Sequence, residues 1–141
     1  MMTLLDAKAP KPKRGLFKYI PLPLFILILA AVAGFVTWSL WNYPEKRAVS
    51  TFLTTLEKGD YKKAYQLWQP APSYAFSDFM HDWGPQGDYG KVRSFEIVSA
   101  KSQGSHTVEV KVRVNDEDPP LGLLVDRKTK GLSYSVDLNY Y

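Results

Sequence analysis

Asp78, His81 and Asp82 come nearest, by type and spacing, to a chemical site in this sequence. At i, i+3 and i+4 they share one face of a helical turn. There, two carboxylates and an imidazole can hold a divalent cation or pass a proton. The same segment carries Phe76, Phe79, Met80 and Trp83 as an apolar stripe, which puts the charged triplet on the opposite, wetted side. An ordinary solvated helix face is the favoured reading, and no metal site is assigned. Asp116, Glu117 and Asp118 form a second acidic cluster. Lacking the alternating ligands and the glycine of a calcium loop, they read as a soluble hairpin turn. His106 opens a strand with no predicted partner and is taken as a surface residue.

The sequence has no phosphate-cradling glycine loop, no Gly-x-Ser-x-Gly and no His-Glu-x-x-His. It has no cysteine, which removes thiolate metal sites, cysteine nucleophiles, disulfides and a cysteine-linked lipid anchor. No catalytic residue and no cofactor are assigned. The aromatics are the richer signal. Tyr65, Trp68, Tyr74, Phe76, Phe79, Trp83 and Tyr89 crowd into one stretch, where they can line a pocket for an apolar ligand or anchor a partner protein. Those at helical spacing read first as core. Tyr65, Trp68, Tyr74, Trp83 and Tyr89 are the ligand- or partner-binding candidates, with Tyr74 and Tyr89 in flanking loops as the surface-exposed pair.

These residues need elements to position them, and hydrophobic periodicity supplies three short helices. The first carries Val49, Phe52, Leu53 and Leu56, begins near Pro44 and stops at Gly59. Asp60 caps a second with Tyr61, Ala64, Tyr65 and Trp68, ended by Gln69-Pro70. The third bears Phe76 to Trp83 and is terminated by Gly84-Pro85. Strands follow. An imperfect one covers Lys91 to Ala100. His106 to Val114 alternates cleanly, with Val108, Val110, Val112 and Val114 on one face and Thr107, Glu109, Lys111 and Arg113 on the other. Leu121 to Asp126 is a third strand. Leu132, Tyr134, Val136, Leu138 and Tyr140 alternate on a fourth after a Lys130-Gly131 turn. Helices first and an antiparallel meander after them make an α+β fold: three short helices packed on a curled sheet of about four strands.

Ahead of this domain, Leu22 to Leu40 contains no charged side chain, and as a helix it spans roughly 28 Å, the thickness of a bilayer core. Phe17 and Tyr19 precede it and Trp38, Trp41 and Tyr43 follow it, in the manner of interfacial anchors. Ala31-Val32-Ala33 matches a leader-peptidase pattern, but the apolar run continues past it, which suits an uncleaved anchor better. The net charge is +4. Lys8, Lys11, Lys13, Arg14 and Lys18 stand against Asp6 in the tail, whereas from Pro44 onward the 13 basic residues equal the 13 acidic ones, by subtraction of the tail from 18 and 14. The excess is a topology signal that sets the N-terminus as cytoplasmic, not a nucleic-acid footprint. The expected organisation is a basic cytoplasmic tail over 1–18, a transmembrane helix over 19–41 and an extracytoplasmic domain over 42–141. The short link Asn42-Tyr43-Pro44 is expected to hold the domain near the bilayer.

The run from Val49 to Trp68, with Phe52, Leu53, Leu56, Gly59-Asp60-Tyr61, Ala64, Tyr65 and Leu67, resembles the opening helices of nuclear-transport-factor-2-like (cystatin-like) domains. The resemblance implies a cone-shaped α+β fold. It leaves function open, because that fold hosts isomerases, dehydratases, small-ligand binders and interaction modules. In its enzymes an acid or histidine inside the cone meets a tyrosine or a second acid; no such pair is identified residue by residue here. The closing strand, with Leu132, Tyr134 and Val136, lacks the family's usual strand-end tryptophan, which implies a small or filled pocket. The Phe79 to Pro85 segment is similar to uncharacterised bacterial membrane-anchored proteins. The leading expectation is a single-pass protein of the bacterial cytoplasmic membrane. Its outer domain, periplasmic or extracellular, is non-enzymatic and binds a protein or assembly partner. A small apolar-ligand binder is second, and an isomerase- or dehydratase-type enzyme third.

Overall fold

The computed structural model describes residues 21–136. The basic tail, Tyr19 and Ile20 at the expected start of the membrane span, and Leu138 and Tyr140 of the expected last strand lie outside the described residues. The chain divides into two units, one ending at Leu40 and the other beginning at Trp41. In the first, helix α1 runs Leu22–Leu40 with none of its side chains buried. Its two hydroxyls return to their own helix, Thr37 Oγ1 to the Ala33 carbonyl at 2.8 Å and Ser39 Oγ to that of Val36 at 3.0 Å. Neither hydroxyl then needs a partner from hydrocarbon. Among the described residues it is the apolar helical segment long enough, by length and composition, to cross a membrane.

In the second unit, α2 spans Tyr43–Glu57, α3 Tyr61–Trp68 and α4 Phe76–Trp83. The expected linker is therefore already structured: Asn42 takes a left-handed conformation at φ 63° and Tyr43-Pro44 is the first turn of α2, where proline's missing N–H costs nothing. Val49, Phe52, Leu53 and Leu56 are all buried, as their spacing requires. Asp60 caps α3 by accepting from the Lys63 N–H at 3.2 Å, and Gln69 ends it at φ 53°.

The strands β1 (Phe95–Gln103), β2 (Thr107–Val114), β3 (Leu121–Asp126) and β4 (Leu132–Tyr134) form one antiparallel sheet in the order β1-β2-β3-β4 that does not close. Val108, Val110, Val112 and Val114 all face the helices. The first strand is displaced from the expected Lys91–Ala100. Arg93 and Ser94 give their N–H groups to the Asn115 side chain instead of a ladder, and a register shift between Ile97 and Ser99 turns the later half over. Beyond the bulge Ala100 faces Val110 and Ser102 faces Val108, while Val98 is left exposed. The fourth strand stops at Tyr134, and Val136, 78% exposed, belongs to no strand. Gly122 is imposed by the sheet's outer face. A Cβ there would sit 2.9 Å from that of Ser135, whose hydroxyl donates to Glu109 at 2.6 Å across the strand.

Candidate functional site

The interior between helices and sheet is occupied by rings. Phe52 stands edge-on to Trp83 with centroids 5.2 Å apart, and packs at 5.3 Å on Trp68. Trp68 in turn meets Tyr134 at 4.9 Å, and Trp83 meets Tyr89 at 4.5 Å. Tyr65 packs edge-on against Phe79 at 5.4 Å. Such geometries add about 0.5–1.5 kcal/mol per pair to the area buried. Trp83 and Phe79 have no exposure, Trp68 has 5%, and Tyr65, Tyr74 and Tyr89 are half-buried against the same cluster. All five aromatic candidates thus belong to one assembly. The loop tyrosines Tyr74 and Tyr89, expected at the surface, lie with their rings over the core.

The reason is Asp82. Its Oδ2 accepts from the Tyr74 hydroxyl at 2.5 Å and from the Tyr134 hydroxyl at 3.0 Å. It is half-buried, not on the solvated face expected for it. One carboxylate oxygen thereby ties α4 to the α3–α4 loop and to β4. The Tyr65 hydroxyl donates to the Tyr74 carbonyl at 2.6 Å and fixes the same loop from α3. Burial first, and the Asp82 hydrogen bond next, push the Tyr74 phenol well above its ordinary range. Burial, then the neighbouring Tyr74 hydroxyl and Asp82 carboxylate, do the same for Tyr134. Burial and the charges of Asp82 and Asp88 raise Tyr89. All three hydroxyls stay protonated at neutral pH. The other two members of the acidic triplet go elsewhere. Asp78 accepts from the Ala75 N–H at 3.0 Å and caps its own helix, and His81 is exposed. Among the described residues no group of histidines, cysteines and carboxylates is placed to hold a metal.

A second polar cluster gathers where α2 begins. Glu45, 3% exposed, accepts from Lys130 Nζ at 2.6 Å, with Arg127 at 3.9 Å. Lys130 also donates to the Arg127 carbonyl at 2.5 Å. The Arg127 guanidinium donates to Asn42 Oδ1 at 2.9 Å and to Ser102 Oγ at 2.7 Å. Burial acts to raise the Glu45 pKa, but the Lys130 hydrogen bond, a bond from its own backbone N–H and the two positive charges together outweigh it and hold the carboxyl below its ordinary value. Glu45 lies four residues before Val49 on the apolar stripe. Its helical phase alone therefore marks it as a buried acid in want of a cation.

Open space lies at the surface. A polar cleft of about 420 Å³ is lined by Asp88, Tyr89, Lys91, Arg93, Asn115 and Glu117, among others. The α4–β1 connection forms one wall. Asp88 and Tyr89 donate their N–H groups back to the His81 and Asp82 carbonyls at 3.0 and 3.2 Å. Gly87 permits this, since a Cβ there would collide with both carbonyls. Asn115 forms the back: Oδ1 accepts from Arg93 N–H at 2.8 Å and Nδ2 donates to the Lys91 carbonyl at 3.0 Å. The acidic turn joins in through Glu117, and outside the cleft Arg113 ties that turn to β1 by bridging Asp118 at 3.1 Å and Glu96 at 3.0 Å. A second cleft, of about 290 Å³, opens between α2 and α3 and is lined by Pro44, Arg47, Ala48, Thr51, Leu67, Gln69 and Lys130.

No family model, no curated protein and no solved structure matches this chain. The α+β architecture is shown by the structure itself, and what the site does must be argued from its chemistry.

Proposed function

We propose that the chain is a membrane-tethered, non-enzymatic interaction module. Its domain, of nuclear-transport-factor-2-like type, works at the outer face of a bacterial cytoplasmic membrane and binds a protein or assembly partner. The observation that carries this reading is the occupied interior. Phe52, Trp68, Phe79 and Trp83 are buried together between the helices and the sheet, where a ligand binder or an enzyme built on such a fold would need an open pocket. Asp82 beside two tyrosines is the arrangement an enzyme would favour. Here both hydroxyls converge on one oxygen and serve as its permanent donors, which supports a fastening role over proton transfer. Recognition falls to the polar cleft, where Lys91 and Arg93 face Asp88 and Glu117 beside Tyr89. Mixed charge with an aromatic neighbour suits a polypeptide better than an apolar small molecule.

The test is site-specific photocrosslinking of the full chain in cells. Benzoylphenylalanine at Lys91 or Glu117 is expected to give one discrete protein adduct that is absent when the label replaces Lys62 on α3. Recovery of unlinked monomer alone from the cleft positions would overturn the reading.

A further inference from the structure

The cleft between α2 and α3 differs from the polar one in composition and in where it falls along the chain. Its floor is aliphatic, from Pro44, Ala48 and Leu67, and its charged lining residues, Arg47 and Lys130, are both cations. The surrounding elements reinforce that sign. The start of α2 and the β3–β4 turn carry Lys46, Arg47, Arg127, Lys128 and Lys130 against Glu45 and Asp126. Both carboxylates are already spent: Glu45 on Lys130, and Asp126 on the backbone N–H groups of Lys128 and Thr129 at 2.8 and 2.7 Å. Three positive charges therefore remain in excess (five minus two) in a domain whose total is neutral. Lys130 keeps a third N–H beyond those given to Glu45 and Arg127. Among the described residues Arg47, which is exposed, takes part in no ion pair.

Position along the chain names the occupant. Arg47 follows Leu40, the end of the apolar helix, by seven residues, so covalent reach alone keeps it within about 25 Å of that point. Trp41 and Tyr43, 59% and 53% exposed, lie between them. Exposed tryptophan and tyrosine of this kind favour the headgroup layer, and nearby cations favour anionic lipid by about fivefold for each charge. A cleft of about 290 Å³ has room for a headgroup and not for acyl chains.

We propose that this cleft, through Arg47 and Lys130, binds the phosphate headgroup of an anionic lipid in the leaflet that the domain faces. The proposal rests on the reading of the chain as membrane-tethered, but needs no protein partner. Bound there, a lipid fixes which side of the domain lies against the bilayer and leaves the polar cleft free for its partner.

Native mass spectrometry of the full chain released from nanodiscs of mixed phosphatidylglycerol and phosphatidylcholine tests this directly. Wild type is expected to retain phosphatidylglycerol in preference to phosphatidylcholine. Arg47→Gln should lose about fivefold in that retention and Arg47→Glu more, while Lys62→Glu on α3 keeps it. The Glu45 ion pairs are with Lys130 and Arg127 and leave Arg47 out, and near-ultraviolet circular dichroism verifies that each variant is folded. Equal retention by wild type and Arg47→Glu, or no preference over phosphatidylcholine, overturns the proposal. So does full displacement by millimolar inorganic phosphate, which would make the site one for free phosphate. Failure of the crosslinking experiment leaves this readout untouched, so the two readings fail separately.

Discussion

Replacing Lys130 by methionine isolates the buried charge at the start of α2. The substitution keeps the length and much of the apolar stem of the side chain. It removes the ammonium that sits 2.6 Å from a carboxylate only 3% exposed. Stranding one partner of a fully buried pair costs about 3–5 kcal/mol. Two features reduce that figure: the Lys130 side chain is 36% exposed, and Arg127 stays 3.9 Å from the same oxygen. A loss of about 2–3 kcal/mol remains, or about 8–24 °C in melting temperature for a domain of this size. Near-ultraviolet circular dichroism of the full chain in mild detergent reads it, because Trp68 and Trp83 are buried and report core packing, whereas Trp38 of α1 is exposed and lies outside the domain core.

The pH dependence is the sharper part. In the wild type the Glu45 pKa lies below its ordinary value of 4.5. The pair therefore contributes stability above that pH and loses it as pH falls through the lower folded value. In Lys130→Met, burial without its main compensation pushes the carboxyl up, and protonation relieves the variant first. The gap between the two proteins should be widest near neutrality and narrow as pH falls through the lowered folded value of the wild type. A gap that stays constant from neutral to acid pH would refute the argument. So would a neutral-pH loss below about 0.5 kcal/mol, the value of an exposed pair. Adding Glu45→Met should recover most of the loss, since it removes the stranded charge.

Further outcomes follow from other parts of the domain. Tyr134→Phe should cost about 1 kcal/mol and Asp82→Ala about 2 kcal/mol in denaturant unfolding, and the double variant should fall short of the sum because both remove one bond. Gly122→Ala should cost about 1–3 kcal/mol by forcing Ser135 away from Glu109, and Ser135→Gly in the same chain should restore part of it. Asp60→Ala should cost about 1 kcal/mol through the lost cap of α3, visible as a shifted urea midpoint with an unchanged slope. The cysteine-free sequence also makes topology simple to read. A lone Lys91→Cys should react with an impermeant maleimide on intact spheroplasts, and a lone Lys8→Cys only after lysis.

Much of the architecture lies in periodic signals that need no tertiary information. The uncharged run from Leu22 to Leu40 defines α1, because length and the absence of charge are properties of the chain alone. Val49, Phe52, Leu53 and Leu56 at helical spacing, and four valines at alternate positions in β2, announce their buried faces, and Gly59-Asp60 marks the boundary between α2 and α3. The α+β class follows from their order. Displacement of β1 was not legible in the same way, since it arises from Asn115, more than twenty residues away, taking the N–H groups of Arg93 and Ser94.

For the site the division is sharper. Asp78, His81 and Asp82 share a helix face in the sequence, and only packing separates them. Asp78 turns back to its own N-terminus, His81 goes to solvent, and Asp82 meets Tyr74 and a tyrosine 52 residues further on. Glu45 is joined to Lys130 across 85 positions. The sequence alone determined which side chains are apolar and at what period they recur, and with that the helices, most of the strands and the apolar run long enough to cross a membrane. Tertiary structure alone decided how each buried charge is compensated, whether the aromatic interior is open or filled, and where the clefts lie. The physical reason is range. Hydrophobic period is a local property of neighbouring residues, whereas a hydrogen bond or ion pair is set by whichever distant group the fold brings within about 3 Å.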